Sequence, residues 1–189
     1  MDVVENNMFK RLKHFIKRKI KKMSNTEIKI EDYRKIGISI GTGCHIYTEL
    51  PTTRDCFLLK IGNNVTISPK VVFLLHDSSI EIPTKHSQTD LLGEINVLDN
   101  CFIGFGTIIL PGVTVAEGTI IAAGSVVTKS VSKPYMVVGG NPAKYICSVN
   151  DFYEKNNSRC FNLNNMSFDD VKREVLNNHD KLLTRKEMK

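Results

Sequence analysis

The chain of 189 residues has room for one domain with a sizeable core and short appendages. Its 41% of hydrophobic and 24% of charged residues are typical of a globular protein, and it contains no run of about 18 apolar residues that would predict a transmembrane helix. Because lysines and arginines interrupt every short hydrophobic run near the N-terminus, we expect no signal peptide and a cytoplasmic protein.

The first 35 residues form a basic N-terminal arm. Residues 1–25 hold eight lysines and arginines against two acidic residues, which accounts for the whole net charge of +6. Apolar residues recur there at helical spacings, at Met8, Phe9, Leu12, Phe15, Ile16, Ile20 and Met23. This pattern predicts an amphipathic helix that either makes peripheral contact with the anionic inner face of a membrane through residues 8–23 or covers an open end of the folded domain. Basic residues are not interleaved with aromatics elsewhere, so we expect no nucleic-acid binding.

The cysteines indicate free thiols. They number five and lie at Cys44, Cys56, Cys101, Cys147 and Cys160. Neither CxxC spacing nor clustered histidines accompany them, so we expect a reducing compartment and no bound metal.

A repeat with a period of six residues dominates the middle of the chain. An aliphatic residue begins each window, at Val97, Ile103, Ile109, Val115, Ile121 and Val127. Three residues later the windows hold Asn100, Gly106, Gly112, Gly118, Gly124 and Ser130. Four residues later they hold small or β-branched residues, or a cysteine, at Cys101, Thr107, Val113, Thr119, Ser125 and Val131. Less regular windows begin at Ile40, Ile46, Ile61, Ile67 and Phe73.

Each column of the repeat has a physical reason. An aliphatic residue at every sixth position can fill one shared interior if the chain turns a corner in each window. The corner requires a positive φ, which Gly and Asn tolerate best, and the small or β-branched residue packs on a short strand. An amphipathic helix would repeat every three to four residues, and an ordinary sheet every two. The pattern therefore predicts an all-β solenoid, a parallel β-helix.

Two segments break the period, and the coils then end. Residues 47–60 predict a loop or a poorly matched coil, and residues 77–94 predict an excursion loop that leaves the helix. Gly139-Gly140-Asn141-Pro142 closes the coils. Farther on, Ser167 followed by acidic residues predicts a capped helix start. The apolar face of that helix would hold Phe168, Val171, Val175, Leu182 and Leu183.

His76 is the main candidate for chemistry. It takes the fourth place in the window that begins at Phe73, so the pattern places it at a corner, and histidine is among the residues enriched at positive φ. The corner would open into the excursion 77–94, where a side chain can project into a loop-covered groove. Histidine titrates near neutral pH and suits a general base, although the spacing alone also fits a surface histidine at a turn.

The repeats resemble those of the hexapeptide-repeat acyltransferase family. The resemblance covers residues 36–147 and is most specific at residues 103–146. Residues 73–77 (FLLHD), followed by a loop and residues 95–97 (INV), are similar to the catalytic segment of the branch that O-acetylates sugars and surface polysaccharides.

The resemblance implies a left-handed parallel β-helix over residues 36–147, with the N-terminal arm 1–35 before it and a C-terminal helical extension 148–189 after it. It implies acetyl-CoA as co-substrate, a sugar or polysaccharide hydroxyl as acceptor, and a homotrimer with active sites between subunits.

The resemblance also implies roles for individual residues. His76 becomes the general base, and Asp77 a candidate to tune or orient the imidazole, although neighbouring residues on an extended chain point apart. The positions that match acetyl-CoA contacts are Phe102, Gly104, Ala123, Thr128, Lys129, Asn141 and Lys144. Gly104 would open space beside Phe102, and the two lysines would pair with CoA phosphates. Repeat packing alone would also explain Gly104 and Ala123.

Other interpretations remain open. A zinc β-helix enzyme of the carbonic-anhydrase type would need three converging histidines, and the candidates His45, His76 and His86 are widely spaced. An inactive scaffold would not need His76 in this context. The 35 residues before the coils leave no room for the large helical domain of serine acetyltransferases. A hydroxylated antibiotic or a nucleotide-sugar amine is an alternative acceptor, and His86 and Asp90 either contact the acceptor or lie on the surface.

Overall fold

The computed structural model describes residues 24–86 and 90–184. Short strands wind into stacked coils, and strands of successive coils pair in parallel to form three faces. Face A contains β1 (Ser39–Ile40), β3 (Leu59–Ile61), β8 (Ile95–Val97) and β11 (Thr114–Val115). Face B contains β2 (His45–Ile46), β4 (Thr66–Ile67), β9 (Phe102–Ile103), β12 (Ile120–Ile121), β14 (Met136–Gly139) and the antiparallel β15 (Lys144–Ser148). Face C contains β5 (Val72–Phe73), β10 (Ile108–Ile109) and β13 (Val126–Val127).

The remaining elements lie outside these faces. A separate antiparallel pair is formed by β6 (His76–Asp77) and β7 (Leu91–Leu92). The helices are α1 (Asn25–Lys35), α2 (Glu81–Thr84), α3 (Val149–Asn156) and α4 (Phe168–Asn177).

The pairing register shows where the repeat is regular and where it is not. Asn96 pairs with Thr114, 18 residues later, so a regular coil takes three windows of six. The spacing is 21 residues between Ser39 and Lys60 and 36 residues between Lys60 and Asn96. The predicted breaks in the period are therefore confirmed. In chain order, residues 51–58 stand where later coils carry a face C strand, and the excursion follows β5.

The predicted columns occupy the predicted places. The aliphatic residues that begin the regular windows, from Val97 to Val127, are at most 2% exposed, and burial of such a side chain stabilises the fold by about 1.5–3 kcal/mol. The small or β-branched column from Cys101 to Val131 is also buried. The corners with positive φ include Gly43, Asn64, Lys70, Asn100, Gly106, Gly112, Gly118 and Gly124. Ser130 lacks a positive φ, so the last regular corner is built differently.

Helix α1 covers the N-terminal end of the coils. It begins with a capping box, in which the hydroxyl oxygen of Ser24 accepts the N–H of Glu27 at 3.2 Å and the Glu27 carboxylate accepts the N–H of Ser24 at 2.7 Å. Ile30 and Tyr33 belong to the core, and the Tyr33 hydroxyl donates to the Glu49 carboxylate at 2.7 Å. The amphipathic segment 8–23 predicted from the sequence lies outside the described residues.

The C-terminal helix is partly as predicted. Helix α4 begins directly after Ser167, whose hydroxyl oxygen accepts the N–H of Asp170 at 3.2 Å. The prediction of its apolar face is wrong for the first residue and for the last two. Phe168 is 82% exposed, and the helix stops at Asn177, before Leu182 and Leu183, because a 3₁₀ turn follows at His179–Lys181.

Candidate active site

His76 lies where the excursion leaves the coils, on strand β6 opposite Leu92 of β7. The prediction that it occupies a corner with positive φ is wrong, since its backbone is extended. The physical reason is the excursion itself. Leu75 still fills the core at 2% exposure, but the chain then continues into a hairpin instead of turning, and Gly93 closes the hairpin by donating its N–H to the Leu75 carbonyl at 3.0 Å.

The end of the hairpin, at Gly93, packs closely against the next coil. A Cβ on Gly93 would lie 2.3 Å from the nitrogen of Gly112 and 2.6 Å from the carbonyl carbon of Pro111. Only glycine allows this close approach between backbones. The strand that faces His76 therefore returns to the scaffold at a fixed point, so the imidazole is carried by rigid structure.

The side chain of Asp55 contacts His76 directly. The His76 Nδ1 and the Asp55 Oδ2 are 2.6 Å apart, and the two side chains are 43% and 12% exposed. The hydrogen bond and the charge of Asp55 raise the pKa of His76 above its ordinary value, and the charges of Asp90 and Asp77 add to this. Burial acts to raise the pKa of Asp55, but hydrogen bonds from Thr53 and His76 outweigh it and lower that pKa below its ordinary value.

This pair fixes the role of each ring nitrogen. Because Asp55 is ionised at neutral pH, it can only accept, so Nδ1 of the neutral imidazole carries the proton and donates it. The other nitrogen, Nε2, then has the free lone pair. The arrangement can accept a proton at Nε2 and stabilise the resulting imidazolium through Asp55.

Asp77 does not orient the imidazole. Its carboxylate accepts the backbone N–H of Ser79 at 2.8 Å, which structures the start of the excursion. Successive residues of a strand point to opposite sides, so Asp77 turns away from the side on which His76 meets Asp55. The charge of Asp77 helps to raise the pKa of His76, but the contact that orients the imidazole comes from Asp55.

His76 and Asp55 line a cavity of about 590 Å³ together with residues of both irregular segments. The other lining residues are Thr52, Thr53, Arg54, Phe57, Asp90 and Leu92. Asp90 accepts a hydrogen bond from the Ser78 hydroxyl, and His86 is not among the lining residues. The cavity therefore has room for a small acceptor beside the basic nitrogen.

Sequence reasoning missed Asp55, Arg54 and Phe57. All three lie in residues 47–60, where the six-residue period gives no position for any side chain. The one signal in the sequence was the break in the period at residues 47–60, which lies one coil before the window that begins at Phe73 and contains His76. A carboxylate in such a break is a reasonable partner for a histidine in the next one.

Two of the predicted acetyl-CoA residues, Gly104 and Ala123, stack on each other in successive coils. A Cβ on Gly104 would lie 2.5 Å from the nitrogen of Ala123 and 2.6 Å from the carbonyl oxygen of Ile121. Gly104 is buried, so coil packing explains it, and the expectation that it opens space beside Phe102 for acetyl-CoA stays a prediction. Phe102 itself is 44% exposed on β9 and remains available for contact.

The predicted lysines come together at the C-terminal end of the coils. Lys129 and Lys144 line one groove of about 630 Å³, which Lys133, Tyr135 and Tyr145 also line. Thr128 is exposed beside Lys129.

Asn141 precedes a cis peptide bond to Pro142 in the closing turn. That turn is held on β13, where Val126 donates to the Gly140 carbonyl at 2.9 Å and accepts from Ala143 at 2.8 Å. The groove of the lysines shares no lining residue with the cavity of His76.

The three histidines considered for zinc do not converge. His45 lines a groove between α1 and the first coil, and His76 lines the cavity described above. Within residues 24–86 and 90–184, no three His, Cys, Asp or Glu side chains are grouped as metal ligands would be. In the same part of the chain, no helix is long and apolar enough to cross a bilayer.

Comparison with known proteins gives relatives of one kind. Residues 94–129 match the family model described as bacterial transferase hexapeptide (six repeats). The chain is 36% identical over 140 residues to Protein CapG of Staphylococcus aureus, which covers 72% of this chain and 79% of CapG. It is 31% identical over 120 residues to the galactoside O-acetyltransferase of Escherichia coli K12, which covers 63% of this chain and 59% of that protein.

The chain is also similar to a solved structure. That structure is a hexapeptide-repeat acetyltransferase of Vibrio cholerae in complex with acetyl-CoA, 29% identical, with a TM-score of 0.52 over 59% of this chain and 60% of that one.

Proposed function

The chain belongs to the hexapeptide-repeat acetyltransferase family, and we propose that it transfers the acetyl group of acetyl-CoA to a hydroxyl of a sugar or surface-polysaccharide acceptor, with His76 as the general base. The observation that carries this proposal is the 2.6 Å pair of His76 and Asp55 at a cavity of about 590 Å³. The galactoside O-acetyltransferase among the relatives supports a sugar hydroxyl. Hexapeptide repeats also imply left-handed winding of the coils, against the usual right-handed crossover.

The proposed reaction is a single acyl transfer. Nε2 of His76 takes the proton of the acceptor hydroxyl while the oxygen forms a bond to the thioester carbonyl carbon. The carbon–sulfur bond then breaks, and the proton passes from the imidazolium to the departing thiolate, which gives an acetyl ester and CoA. Asp55 stabilises the imidazolium between these steps. Positioned general-base catalysis of this kind contributes about 10²–10⁴ in rate.

We assign acetyl-CoA to the surface that carries Phe102, Ala123 and Thr128 and ends at the lysine groove. The V. cholerae relative binds acetyl-CoA, which supports this co-substrate. Lys129 and Lys144 can act there as point charges for the phosphates. Asn141, in the turn held on β13, would contact the co-substrate beside them.

A second copy of the chain fits face C. Outward residues on its strands are apolar, with Val72 44% and Leu74 39% exposed and Ile108 and Val126 half-buried. Val72 and Leu74 lie four and two residues before His76, so a copy that covers this face would lie beside the cavity. Because the cavity of His76 and the lysine groove share no residue within one chain, we propose a homotrimer in which active sites form between subunits.

The oligomer proposal is tested by light scattering. The expected mass is that of a trimer, and Val72→Glu should dissociate it because the charge enters an apolar contact. Ser39→Glu is the matched control, since Ser39 is exposed on face A. A wild-type monomer that still transfers acetyl groups would overturn the shared site.

The acceptor class is tested by release of free CoA thiol. Purified protein with acetyl-CoA is assayed against glycosides, hydroxylated antibiotics and nucleotide-sugar amines, and the products are identified by mass spectrometry. O-acetylation of glycosides is the expected result. Faster turnover of an antibiotic or of an amine would replace the proposed acceptor by that class.

The N-terminal arm gives a separate proposal, argued from the sequence alone. Residues 8–23, which lie outside the described residues, combine an apolar stripe with eight lysines and arginines. Each basic residue near an anionic surface contributes about 1 kcal/mol to binding, so the arm is sufficient for reversible contact with a membrane. Co-sedimentation with anionic liposomes should be sensitive to salt and lost when residues 1–23 are removed. Full-length protein that ignores such liposomes would refute membrane contact.

A further inference from the structure

The charged residues that line the cavity around His76 differ in whether they have a hydrogen-bonding partner. Both carboxylates that line the cavity have partners, since Asp55 holds His76 and Asp90 accepts from Ser78. Arg54 lines the same cavity, and among residues 24–86 and 90–184 it has no hydrogen bond or ion pair. Within the described residues, Arg54 is therefore the one charged side chain lining this cavity without a hydrogen-bond or ion-pair partner, while Asp90 keeps its negative charge because its partner is a neutral hydroxyl.

The backbone that carries Arg54 is fixed. The carbonyl of Thr53 accepts the N–H of Cys56 at 3.1 Å, and the carbonyl of Asp55 accepts the N–H of Leu58 at 2.9 Å. Cys56 is buried, and its thiol donates to the carbonyl of Ile36 at 3.2 Å. Arg54 is exposed and projects from a turn that is tied to the core on both sides, so its backbone is held at the edge of the cavity that it lines.

An apolar surface lies beside this charge. Phe57, in the same turn, is 58% exposed, and Leu92, opposite His76 on the hairpin, is 62% exposed. Both line the cavity. A sugar ring presents a face of C–H groups that packs on an aromatic or aliphatic surface, while its polar substituents point outward.

The chemistry of the charge narrows the acceptor further. A planar guanidinium binds carboxylate and phosphate through two parallel N–H donors. A neutral sugar would leave this charge unused, and a cationic acceptor would be repelled by it. The carboxylates of Asp55 and Asp90 line the same cavity, and the neutral imidazole of His76 cancels neither charge, so the anion must pair directly with the guanidinium of Arg54.

We propose that the acceptor is an anionic sugar, whose carboxylate or phosphate pairs with Arg54 while its ring lies on Phe57 and a ring hydroxyl reaches Nε2 of His76. This inference rests on the proposed sugar O-acetyltransferase function. It names the substrate class of the same site, and it makes Arg54 a determinant of specificity.

The test uses pairs of acceptors that keep the same ring hydroxyls and differ at C6, where a carboxylate or a phosphate replaces the neutral hydroxymethyl group. Methyl glucuronide, galacturonide and mannuronide are each compared with the neutral methyl glycoside of the same configuration, and the 6-phosphates of the three hexoses form the phosphate arm. The wild-type protein should show a kcat/KM at least about tenfold higher for the anionic member of an accepted pair, a difference of about 1.4 kcal/mol. The two anionic arms decide between carboxylate and phosphate.

Variants connect this preference to Arg54. Arg54→Gln should reduce the ratio of anionic to neutral kcat/KM about tenfold, mainly through KM of the anionic acceptor, and Arg54→Lys should retain part of the ratio. Lys172→Gln removes the same charge from the exposed surface of α4 and should leave the ratio unchanged.

The outcomes separate two failures. Equal kcat/KM within the pairs, or a ratio that survives in Arg54→Gln, overturns the anionic acceptor and leaves sugar O-acetylation standing. Absence of turnover with every glycoside, in protein that binds acetyl-CoA, contradicts the proposed function and this inference with it.

Discussion

The coils between residues 95 and 131 and the segments that interrupt them, residues 51–58 and 76–92, use their side chains in opposite ways. In the coils, the inward positions of every window are buried, and the hydroxyls of Thr107 and Ser125 donate to neighbouring carbonyls, that of Thr107 to Gly104 at 2.7 Å. In the interruptions, Phe57, Leu91 and Leu92 are more than half exposed. The charged side chains Arg54, Asp55 and Asp90 and the imidazole of His76, all in these interruptions, line a cavity. Regular repeats therefore supply stability and position, and the places where the repeat fails supply the residues that we propose for proton transfer.

The largest expected effect is that of a substitution in the interruption at residues 76–92. His76→Ala should lower kcat by about 10²–10⁴, because Nε2 is the proposed proton acceptor, with unchanged melting temperature and affinity for acetyl-CoA. Steady-state kinetics and calorimetry measure both. His86→Ala, in the same excursion but outside the cavity lining, should do much less. A near-normal kcat for His76→Ala would assign the base to another residue.

The second test concerns the coils. Ile103 is fully buried on β9, so Ile103→Ala should lower the free energy of unfolding by about 2–5 kcal/mol. Leu92→Ala removes a leucine that is 62% exposed in the excursion and should change stability by about 0.5 kcal/mol or less. Urea unfolding followed by circular dichroism measures the difference. Similar losses for the two variants would contradict the division of roles between coils and interruptions.

The third test concerns the contact between the two interruptions. Asp55 raises the pKa of His76, and a general base must be neutral, so activity should rise with pH through a value above the ordinary histidine pKa. Asp55→Asn removes the negative charge that favours the imidazolium. The pKa of His76 then falls, and the acidic limb of kcat/KM moves to lower pH, with a maximal rate reduced by about 10-fold or more.

A matched control separates this effect from general charge. Asp77→Asn removes a carboxylate that holds Ser79 and does not contact the imidazole, so its acidic limb should move much less. An acidic limb in Asp55→Asn that stays at the wild-type pH would show that the 2.6 Å contact does not govern the titration of His76.

The smallest expected effect lies at the far end of the coils. Lys129→Ala and Lys144→Ala should each raise KM for acetyl-CoA several-fold with little change in kcat, since phosphate contacts are remote from the thioester. Lys172→Ala, on the exposed side of α4, serves as the control. Unchanged KM in both groove variants would place the nucleotide elsewhere.

The regular part of the fold could be predicted because a residue's role there depends only on its place in the window. Ile121 is buried and Gly124 turns a corner for reasons that are local to six residues. The same rule failed at His76, where the window of Phe73 is incomplete and a hairpin replaces the corner. The rule did explain Gly104, whose missing side chain lets the next coil approach closely.

The sequence by itself determined the β-helix and the positions of its two breaks, because a six-residue period and its interruptions are visible along the chain. It also placed His76, the candidate base, beside one of these breaks. Only the tertiary structure decided what surrounds that histidine. Asp55 and His76 are 21 residues apart and meet because winding brings two interruptions of successive coils side by side. Aperiodic segments carry no register of their own, so the contacts between them depend on how the regular coils stack beneath them.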